Sequence, residues 1–309
     1  MKKLISVCIP CRNEIGNVEP LSEEIIKELE CFQQYNFEII FIDNCSTDGT
    51  QNKLREICHK DKRIKAIFNI KSFLASGTYA MLQARGDCII YFFADFQVPV
   101  KLIHKMIIEW EKGACVVALQ KKTGKHDKFR IFRNFYYFIS KRFTNQASSG
   151  SSACGLYDKK FIDLCKATKD PLINIVYMAS LYADPLVKLE YTEQARRSGK
   201  SNNTFFSLMN LAVSRFVRSS DVAPRYAVFA GLGMGAISLL VSLYYLVRKL
   251  LDWDNFPLGI APLLIGVFFL GAVQLIFIGL IGEYVITINE RQKNKPLVVE
   301  KERINFDDQ

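Results

Sequence analysis

The stretch Cys88-Ile-Ile-Tyr-Phe-Phe-Ala-Asp-Phe-Gln-Val-Pro99 decides the fold that this sequence predicts. Residues 88–93 are all apolar or aromatic, which is typical of a strand buried on both faces of a parallel sheet. Pro99 cannot continue a central strand, because it lacks the N–H that strand pairing requires. Asp95 and Gln97 therefore follow the carboxyl end of the strand, where open α/β sheets bind their ligands.

Two interpretations of Asp95 and Gln97 are open at this point. Their oxygens are ligands of the kind that a hard divalent cation takes, with a phosphate supplying the rest. Alternatively, Asp95 forms an Asx turn that only ends the strand. The neighbouring sequence favours the first interpretation.

The same alternation of elements continues on both sides of this stretch. Apolar runs predict further strands over residues 4–9, 37–42, 64–69 and 115–119. Helical periodicity predicts helices over residues 18–32, 76–84 and 101–112. A further helix is predicted to follow the turn at residues 46–49 and to end at about residue 59. Strands and helices that alternate at this spacing form βαβ units, which pair into a parallel sheet with right-handed crossovers.

Polar groups follow two other strands at the same predicted edge of the sheet. Pro10-Cys-Arg-Asn-Glu14 comes after the first strand, and Asp43-Asn-Cys-Ser46 comes after the second. Neither loop has the glycine pattern of a dinucleotide fold or of a P-loop. Their carboxylates and amides can hydrogen-bond a base and a ribose, beside an arginine for phosphate. Each loop alone is compatible with ordinary helix capping, but three converging loops favour a ligand site.

Charge and cysteine content limit the class of protein. The 309 residues carry a formal net charge of +10, which indicates a membrane surface or phosphates as the partner. Nucleic acid is not expected, because no basic helix with groove-reading spacing is visible. Nine scattered cysteines, an odd number, do not form a disulfide framework and indicate a reducing compartment for the first domain.

Two apolar segments follow the α/β part of the chain. Residues 226–247 are 22 residues without a charge, about 33 Å as a helix, which suffices to span a bilayer. A second span is predicted over residues 258–281, where Gln274 is expected to bond to a neighbouring helix or to a second copy of the chain. Basic residues before the first span and after the second place both termini and the first domain in the cytoplasm.

Two segments combine basic and aromatic residues, over 129–143 and 204–220. Such a pattern suits a helix that lies in the membrane interface, with rings among acyl chains and charges at the headgroups. For the first segment, a helix that faces the core and exposes a basic side fits the pattern equally well.

At this point a family resemblance can be stated. Its motifs are Ile9-Pro-Cys-Arg-Asn-Glu14, Glu38-Ile-Ile-Phe-Ile-Asp-Asn-Cys-Ser-Thr-Asp-Gly-Thr50, Ala84-Arg-Gly-Asp87 and Ala94-Asp-Phe-Gln-Val-Pro99. In order and spacing they resemble family 2 glycosyltransferases, and the apolar hairpin narrows the resemblance to the polyprenyl-phosphate group. The resemblance implies an α/β GT-A (Rossmann-like) nucleotide-sugar domain over residues 1–203 and an interfacial helix over 204–225. It also implies a transmembrane hairpin over 226–286 and a cytoplasmic tail over 287–309.

The resemblance also implies the roles of individual residues. Pro10, Arg12 and Glu14 would line the nucleotide pocket, and Asp43 would hold the base beside Asn44, where many relatives have a second Asp. Asp95, with Gln97, would bind Mg²⁺ or Mn²⁺ and the donor pyrophosphate as the catalytic pair. The acceptor phosphate would be bound by basic and hydroxyl groups, namely Arg130, Arg133, Arg196, Arg197 and Ser201. The residues 196–203 can also be read as an ordinary basic turn.

The sequence departs from the family pattern at three further positions. Phe93 and Val98 replace two acids of the metal motif, and Ala153, in Ser152-Ala-Cys-Gly155 ahead of a next strand, replaces an acid that could act as a base. A site with one carboxylate should hold its cation weakly and rely on the phosphates of the donor. The missing base matters less, because a lipid phosphate is already ionised near neutral pH.

The expected function is an inverting glycosyltransferase of the inner (plasma) membrane. It would move a sugar from a nucleotide donor, UDP-linked rather than GDP-linked, to a polyprenyl (undecaprenyl) phosphate, and a homo-oligomer is compatible with the sequence. The alternative is a catalytically inactive relative that acts as a membrane-bound accessory subunit. A processive polysaccharide synthase is disfavoured, because only two spans are present and no Gln-x-x-Arg-Trp motif occurs.

Overall fold

The computed structural model describes residues 2–73, 75–122, 151–168, 170, 173–195, 260–293 and 296–306, and single helical positions at 240, 244, 247 and 251. The chain divides into two compact units. The first contains residues 1–133, 146–202 and 294–309, and the second contains 134–145 and 203–293.

The first unit is built on one sheet of eight strands. In chain order the strands are β1 (Leu4–Cys11), β2 (Asn36–Asp43), β3 (Ile64–Asn69), β4 (Cys88–Tyr91), β5 (Val116–Lys121), β6 (Ser151–Asp158), β7 (Leu186–Tyr191) and β8 (Glu300–Ile304). Their order across the sheet is β7-β5-β6-β4-β1-β2-β3-β8.

The sheet is mixed, so the prediction of a parallel sheet holds for β4, β1, β2 and β3 and for the pair of β5 and β7, but not for β6 and β8. Strands β4, β1, β2 and β3 are parallel neighbours, whereas β6 runs antiparallel to both β4 and β5. The predicted position of Ser152–Gly155 ahead of a strand is wrong, since these residues lie within β6. The small and polar residues at the start of β6 conceal the strand in the sequence. At the far edge, β8 pairs antiparallel with β3 and lies in the segment expected to be a tail.

Some observed strand ends differ from the predicted ones, at positions where a neighbouring strand ends. The third strand has the predicted bounds, but β1 continues through Pro10 to Cys11. Because β4 pairs with β1 only as far as Cys8, Pro10 has a neighbouring strand on one side only and is tolerated. β4 itself ends at Tyr91 rather than at residue 93.

Helices cover both faces of the sheet. They are α1 (Val18–Leu29), α2 (Thr50–Lys60), α3 (Ser76–Gln83), α4 (Leu102–Glu111), α5 (Lys159–Ala167) and α6 (Ile175–Tyr182). Alternate strand residues pack on opposite faces, so α1, α2 and α4 share one hydrophobic core and α3, α5 and α6 share the other. The result is a three-layer domain of the predicted α/β class.

The Ala84-Arg-Gly-Asp87 motif has a structural role at the amino end of the sheet. Asp87 accepts a hydrogen bond from the Leu4 N–H (2.8 Å) and donates one to the Leu4 carbonyl (2.7 Å), which aligns β4 with β1. Gly86 donates to Ser6 Oγ at 2.9 Å, and a Cβ at this glycine would lie 2.6 Å from the same oxygen. The motif therefore requires glycine because the two backbones approach closely.

In the second unit the structure describes one long helix, α7 (Ile260–Gln292), of 33 residues. Large apolar side chains on it are exposed, among them Leu263, Ile278 and Ile281. Among the helices in the described ranges, none meets the combined length and hydropathy of a membrane span. Most of the first predicted span, 226–247, and both predicted interfacial segments lie outside the described residues.

Candidate active site

The loops after β1 and β2 are joined by hydrogen bonds at the carboxyl edge of the sheet. The Asn44 N–H donates to the Cys11 carbonyl at 2.9 Å, and the Asn13 N–H donates to Ser46 Oγ at 2.8 Å. The Asn13 side-chain oxygen accepts in turn from the Thr47 N–H at 2.8 Å. These bonds bring together two of the loops that the sequence predicted to converge.

Each of the three predicted loops holds one non-glycine residue with a positive φ. These residues are Asn13 (φ 57°) after β1, Cys45 (φ 61°) after β2 and Phe96 (φ 58°) after β4. Asn tolerates this conformation, but for other residues it costs about 1–2 kcal/mol. Backbone strain of this kind persists only where the surroundings impose it, and it clusters at functional sites.

Asp43 is a fully buried carboxylate with one oxygen unused by the protein. Its Oδ2 atom accepts from the Ser46 N–H at 3.1 Å and from Gln51 Nε2 at 2.8 Å. Its Oδ1 atom is buried and has no hydrogen-bond partner among the described residues. Buried polar atoms in native proteins are nearly always paired, so this oxygen can accept a hydrogen bond from a ligand.

The side chain of Asn44 is engaged by the segment after β3. Its Oδ1 accepts from the Phe73 N–H (2.7 Å), Ser76 Oγ (2.9 Å) and Asn69 Nδ2 (3.3 Å), while its Nδ2 donates to the Phe73 carbonyl (3.1 Å). The amide thus holds residues 69–76 against the loop after β2. This bracing was not apparent from the sequence, because it joins residues up to 32 positions apart.

The other predicted donor-binding residues border the same loops. Arg12 is exposed and donates to Ser72 Oγ at 3.2 Å. Glu14 is half-buried, its N–H donates to Thr50 Oγ1 at 2.9 Å, and its carboxylate accepts from Asn17 at the start of α1. Pro10 lies in β1, one residue before the end of the strand. Arg12 therefore offers a cation at the rim, whereas Glu14 is held by the protein.

The acidic turn forms the Asx turn that was one of the two interpretations left open by the sequence, and cation binding there stays a prediction. The Gln97 N–H donates to Asp95 Oδ1 at 3.2 Å, which is an Asx turn, and Phe96 between them is buried. Asp95 and Gln97 are both half-buried at the carboxyl edge of the sheet. The turn fixes the position of the carboxylate without removing it from the site.

A segment after β7 contacts the acidic turn, and the sequence reasoning missed it. The Gln194 N–H donates to the Gln97 carbonyl at 3.0 Å. Between Tyr191 and Gln194 lies Glu193, whose carboxylate pairs with Lys121. The alternation of apolar and polar residues in Leu186–Tyr191 is a strand signal that could have identified β7 and hence the residues that follow it.

β6 contributes a thiol, rather than an acid, beside the turn. Cys154 is fully buried, and burial, followed by the charge of Asp95, raises the pKa of its thiol well above the ordinary value, while a hydrogen bond with the Phe93 backbone opposes the shift. Ala153, at the position where relatives carry an acid, contributes only its carbonyl, which accepts from Tyr157 Oη at 2.7 Å. Residues 153–155 of β6 therefore offer no acid at the turn that could act as a general base.

No group of three or more His, Cys, Asp or Glu side chains within the described ranges is arranged to hold a metal ion. A carboxylate and an amide oxygen nevertheless remain at the turn, and both suit Mg²⁺ or Mn²⁺. The predicted acceptor-phosphate residues, Arg130, Arg133, Arg196, Arg197 and Ser201, lie outside the described residues.

A three-layer α/β domain with polar loops converging at the carboxyl edge of its parallel strands belongs to the nucleotide-binding class of folds. The sequence profile described as "Glycosyl transferase family 2" matches residues 6–164, which is just over half of the chain. The chain therefore belongs to glycosyl transferase family 2, and the protein is a glycosyltransferase.

Several relatives match over nearly the whole chain. The SfII prophage-derived bactoprenol glucosyl transferase of Shigella flexneri is 27% identical over 303 residues, which cover 96% of this chain and 97% of that protein. The prophage bactoprenol glucosyl transferase homolog of Escherichia coli K12 is 24% identical over 303 residues, with 96% and 98% covered. The crystal structure of mannosyl-3-phosphoglycerate synthase from Rubrobacter xylanophilus superimposes with a TM-score of 0.50 at 14% identity, over 70% of this chain and 73% of that one. This last likeness concerns the fold alone.

Proposed function

We propose that the protein transfers a sugar from a UDP-sugar to a polyprenyl phosphate, with inversion at the anomeric carbon. The observation that carries the nucleotide part is the unused, buried Oδ1 atom of Asp43 between the joined loops. The acceptor part is supported by the full-length relatives whose names describe them as bactoprenol glucosyl transferases.

The state of Asp43 favours uracil over guanine. Oδ2 already accepts two hydrogen bonds, so one carboxylate oxygen is left for a ligand. Uracil offers one ring N–H between two carbonyl oxygens, which matches a single acceptor. Guanine offers an N–H and an adjacent amino group, which would require both oxygens of the carboxylate.

Other residues of the chain would bind the cation, the donor phosphates and the acceptor phosphate. Asp95 and Gln97 would hold the cation, with Arg12 close to the donor phosphates. A bound Mg²⁺ or Mn²⁺ supplies neutralisation of the charge that develops on the departing nucleoside diphosphate. Arg130, Arg133, Arg196, Arg197 and Ser201 would orient the acceptor phosphate. Its oxygen forms the new bond to the anomeric carbon while the bond to the diphosphate breaks on the opposite side.

This reaction needs no base from β6. The acceptor phosphate is ionised near neutral pH, so no proton has to leave the nucleophile. Positioning of the two phosphates is therefore the main contribution of the protein.

We further propose that residues 226–247 and 258–281 anchor the enzyme in the inner (plasma) membrane, with the catalytic domain and both termini in the cytoplasm. The uncharged runs in the sequence and the flanking basic residues support this placement. Anchoring at the inner leaflet would give the site access to a lipid-borne phosphate.

The test is glycolipid formation by the full chain purified in detergent. We expect a sugar-labelled lipid with undecaprenyl phosphate and one UDP-sugar of a panel, dependent on Mg²⁺ or Mn²⁺, and none with the Asp95→Ala variant. GDP-sugars serve as the donor control. Absence of product with every UDP- and GDP-sugar, although UDP binds, would instead support a non-catalytic subunit.

A further inference from the structure

The acidic turn of this chain lacks carboxylates at two positions, and a segment distant in sequence that contains a glutamate is hydrogen-bonded to it through the backbone. We propose that Glu193 is a second carboxylate ligand of the divalent cation, acting together with Asp95. This inference rests on the proposed function, because it concerns the same donor site. It assigns a role to a residue outside the motifs that the sequence singled out.

The backbone places the segment containing Glu193 next to the turn. β7 runs parallel to β5 and ends with Tyr191 opposite Lys121. The Lys122 N–H donates to the Tyr191 carbonyl at 2.8 Å, and three residues later the Gln194 N–H donates to the Gln97 carbonyl at 3.0 Å. Glu193 lies between these two fixed points and directly precedes the residue that bonds to the acidic turn.

The burial of Tyr191 agrees with this placement. Its side chain is buried and belongs to the same hydrophobic core as Phe96, the middle residue of the acidic turn. Glu193 follows two residues later and is half-buried. A divalent cation can be held by two carboxylates together with the phosphates of a substrate.

The ammonium group of Lys121 is the counter-ion of the Glu193 carboxylate in the protein. The two side chains form an ion pair and remain partly exposed, 50% for Lys121 and 31% for Glu193. Exposed pairs of this kind are weak, so a divalent cation can compete for the carboxylate. Lys121 should therefore oppose metal binding, both by occupying Glu193 and by its own charge.

This chemistry would also account for the missing acids. Phe93 and Val98 leave Asp95 as the one carboxylate of the turn. Hard divalent cations are usually held by one or two carboxylates together with substrate phosphates. With a glutamate from the segment after β7, the protein would contribute two carboxylates to the cation.

The experiment measures Mn²⁺ affinity directly, in the full chain with saturating UDP, from the electron paramagnetic resonance signal of free Mn²⁺. We expect Glu193→Gln to weaken Mn²⁺ binding about tenfold or more, as the loss of groups at metal sites commonly does. The matched control is Glu190→Gln, which removes a carboxylate of β7 that pairs with Lys122 at 3.6 Å, and it should leave the affinity unchanged.

A second variant separates a ligand from a merely structural ion pair. Lys121→Met breaks the same pair but keeps the Glu193 carboxylate, so we expect it to tighten Mn²⁺ binding while Glu193→Gln weakens it. If both variants weaken binding alike, or if Glu193→Gln matches the Glu190→Gln control, the inference is overturned. If the wild-type protein binds UDP but no Mn²⁺, the metal part of the proposed function fails together with it, which is a different result.

Discussion

The backbone N–H of Phe73 donates a 2.7 Å hydrogen bond to Oδ1 of Asn44, and so the loop after β2 and the segment after β3 are held as one unit. Ser72 in the same segment accepts from Arg12, which belongs to the loop after β1. The part of the site proposed for the nucleotide sugar is therefore held in place by hydrogen bonds between the segments that follow β1, β2 and β3. Substitutions that break these hydrogen bonds should alter nucleotide binding even at residues that do not contact the ligand.

Asn44→Asp should lower both stability and donor affinity. The change keeps the acceptor for the Phe73 N–H but replaces the amide donor to the Phe73 carbonyl with a carboxylate oxygen, and the loss of one such hydrogen bond costs about 0.5–1.5 kcal/mol. We expect a lower midpoint of thermal unfolding and a weaker Kd for UDP, measured by calorimetry in detergent. Asn36→Asp, at the exposed start of β2, is the control. Equal UDP affinity in Asn44→Asp and wild type would show that the brace does not shape the site.

Asp43→Ala should remove the acceptor for the base. We expect UDP affinity to fall at least about tenfold, since a charge-assisted hydrogen bond contributes about 1.5–3 kcal/mol. The Kd for inorganic pyrophosphate should change less than the Kd for UDP, because pyrophosphate has no base. Asp61→Ala, in an exposed ion pair with Arg63 before β3, is the matched control. A parallel loss of UDP and pyrophosphate binding would indicate that the whole loop has collapsed.

Acid should destabilise the joined loops through Asp48. Burial would raise the pKa of this carboxyl, but hydrogen bonds from the Thr50 hydroxyl, the Thr50 N–H and the Ile15 N–H outweigh burial and lower the pKa. A lowered folded-state pKa means that the stabilisation is complete above the ordinary value of 3.8 and is lost as the pH falls through the folded value. Asp48→Asn should therefore show a smaller loss of thermal stability between about pH 5 and about pH 3, which lie on either side of this ordinary value. Asp163→Asn, on the exposed side of α5, should retain the wild-type pH dependence.

Asn305→Ala should destabilise the edge of the sheet more than the loss of a nearby ion pair. The Asn305 amide donates to the Cys58 carbonyl at 2.6 Å and to the Ile64 carbonyl at 2.7 Å. Leaving such acceptors unpaired costs about 1–3 kcal/mol, whereas exposed ion pairs contribute about 0–1 kcal/mol. Glu302→Gln, which breaks the 2.7 Å pair with Arg55, is the comparison, and thermal unfolding is the measurement. A larger effect for Glu302→Gln would reverse this ranking.

The parallel centre of the fold could be predicted from the sequence because its strands are buried on both faces. Apolar runs then suffice, and β3 has the predicted bounds. β8 could not be predicted in this way, because the sequence Glu300-Lys-Glu-Arg-Ile304 is charged and its strand has a neighbour on one side only. β6 begins with small residues and pairs antiparallel, which a pattern of βαβ units does not anticipate.

The candidate site was predictable as far as its residues follow strand ends. Asp43 and Asp95 could be located from the ends of apolar runs. The bracing role of Asn44 and the approach of Glu193 could not, because both depend on hydrogen bonds between segments that are far apart in the chain. Periodicity reports on burial within one element and carries no information on such pairings.

The outermost strand of the sheet is translated after the long helix α7, although it pairs with a strand made early, β3. During biosynthesis the outer edge of β3 therefore has no partner strand until β8 has been synthesised. Its backbone N–H and C=O groups are unpaired in that interval and can pair with other chains. A recombinant fragment that ends before α7 would lack β8, and the edge of β3 would stay unpaired. Fusing residues 296–306 to this fragment through a flexible linker would restore the pairing and should give a catalytic domain that does not aggregate.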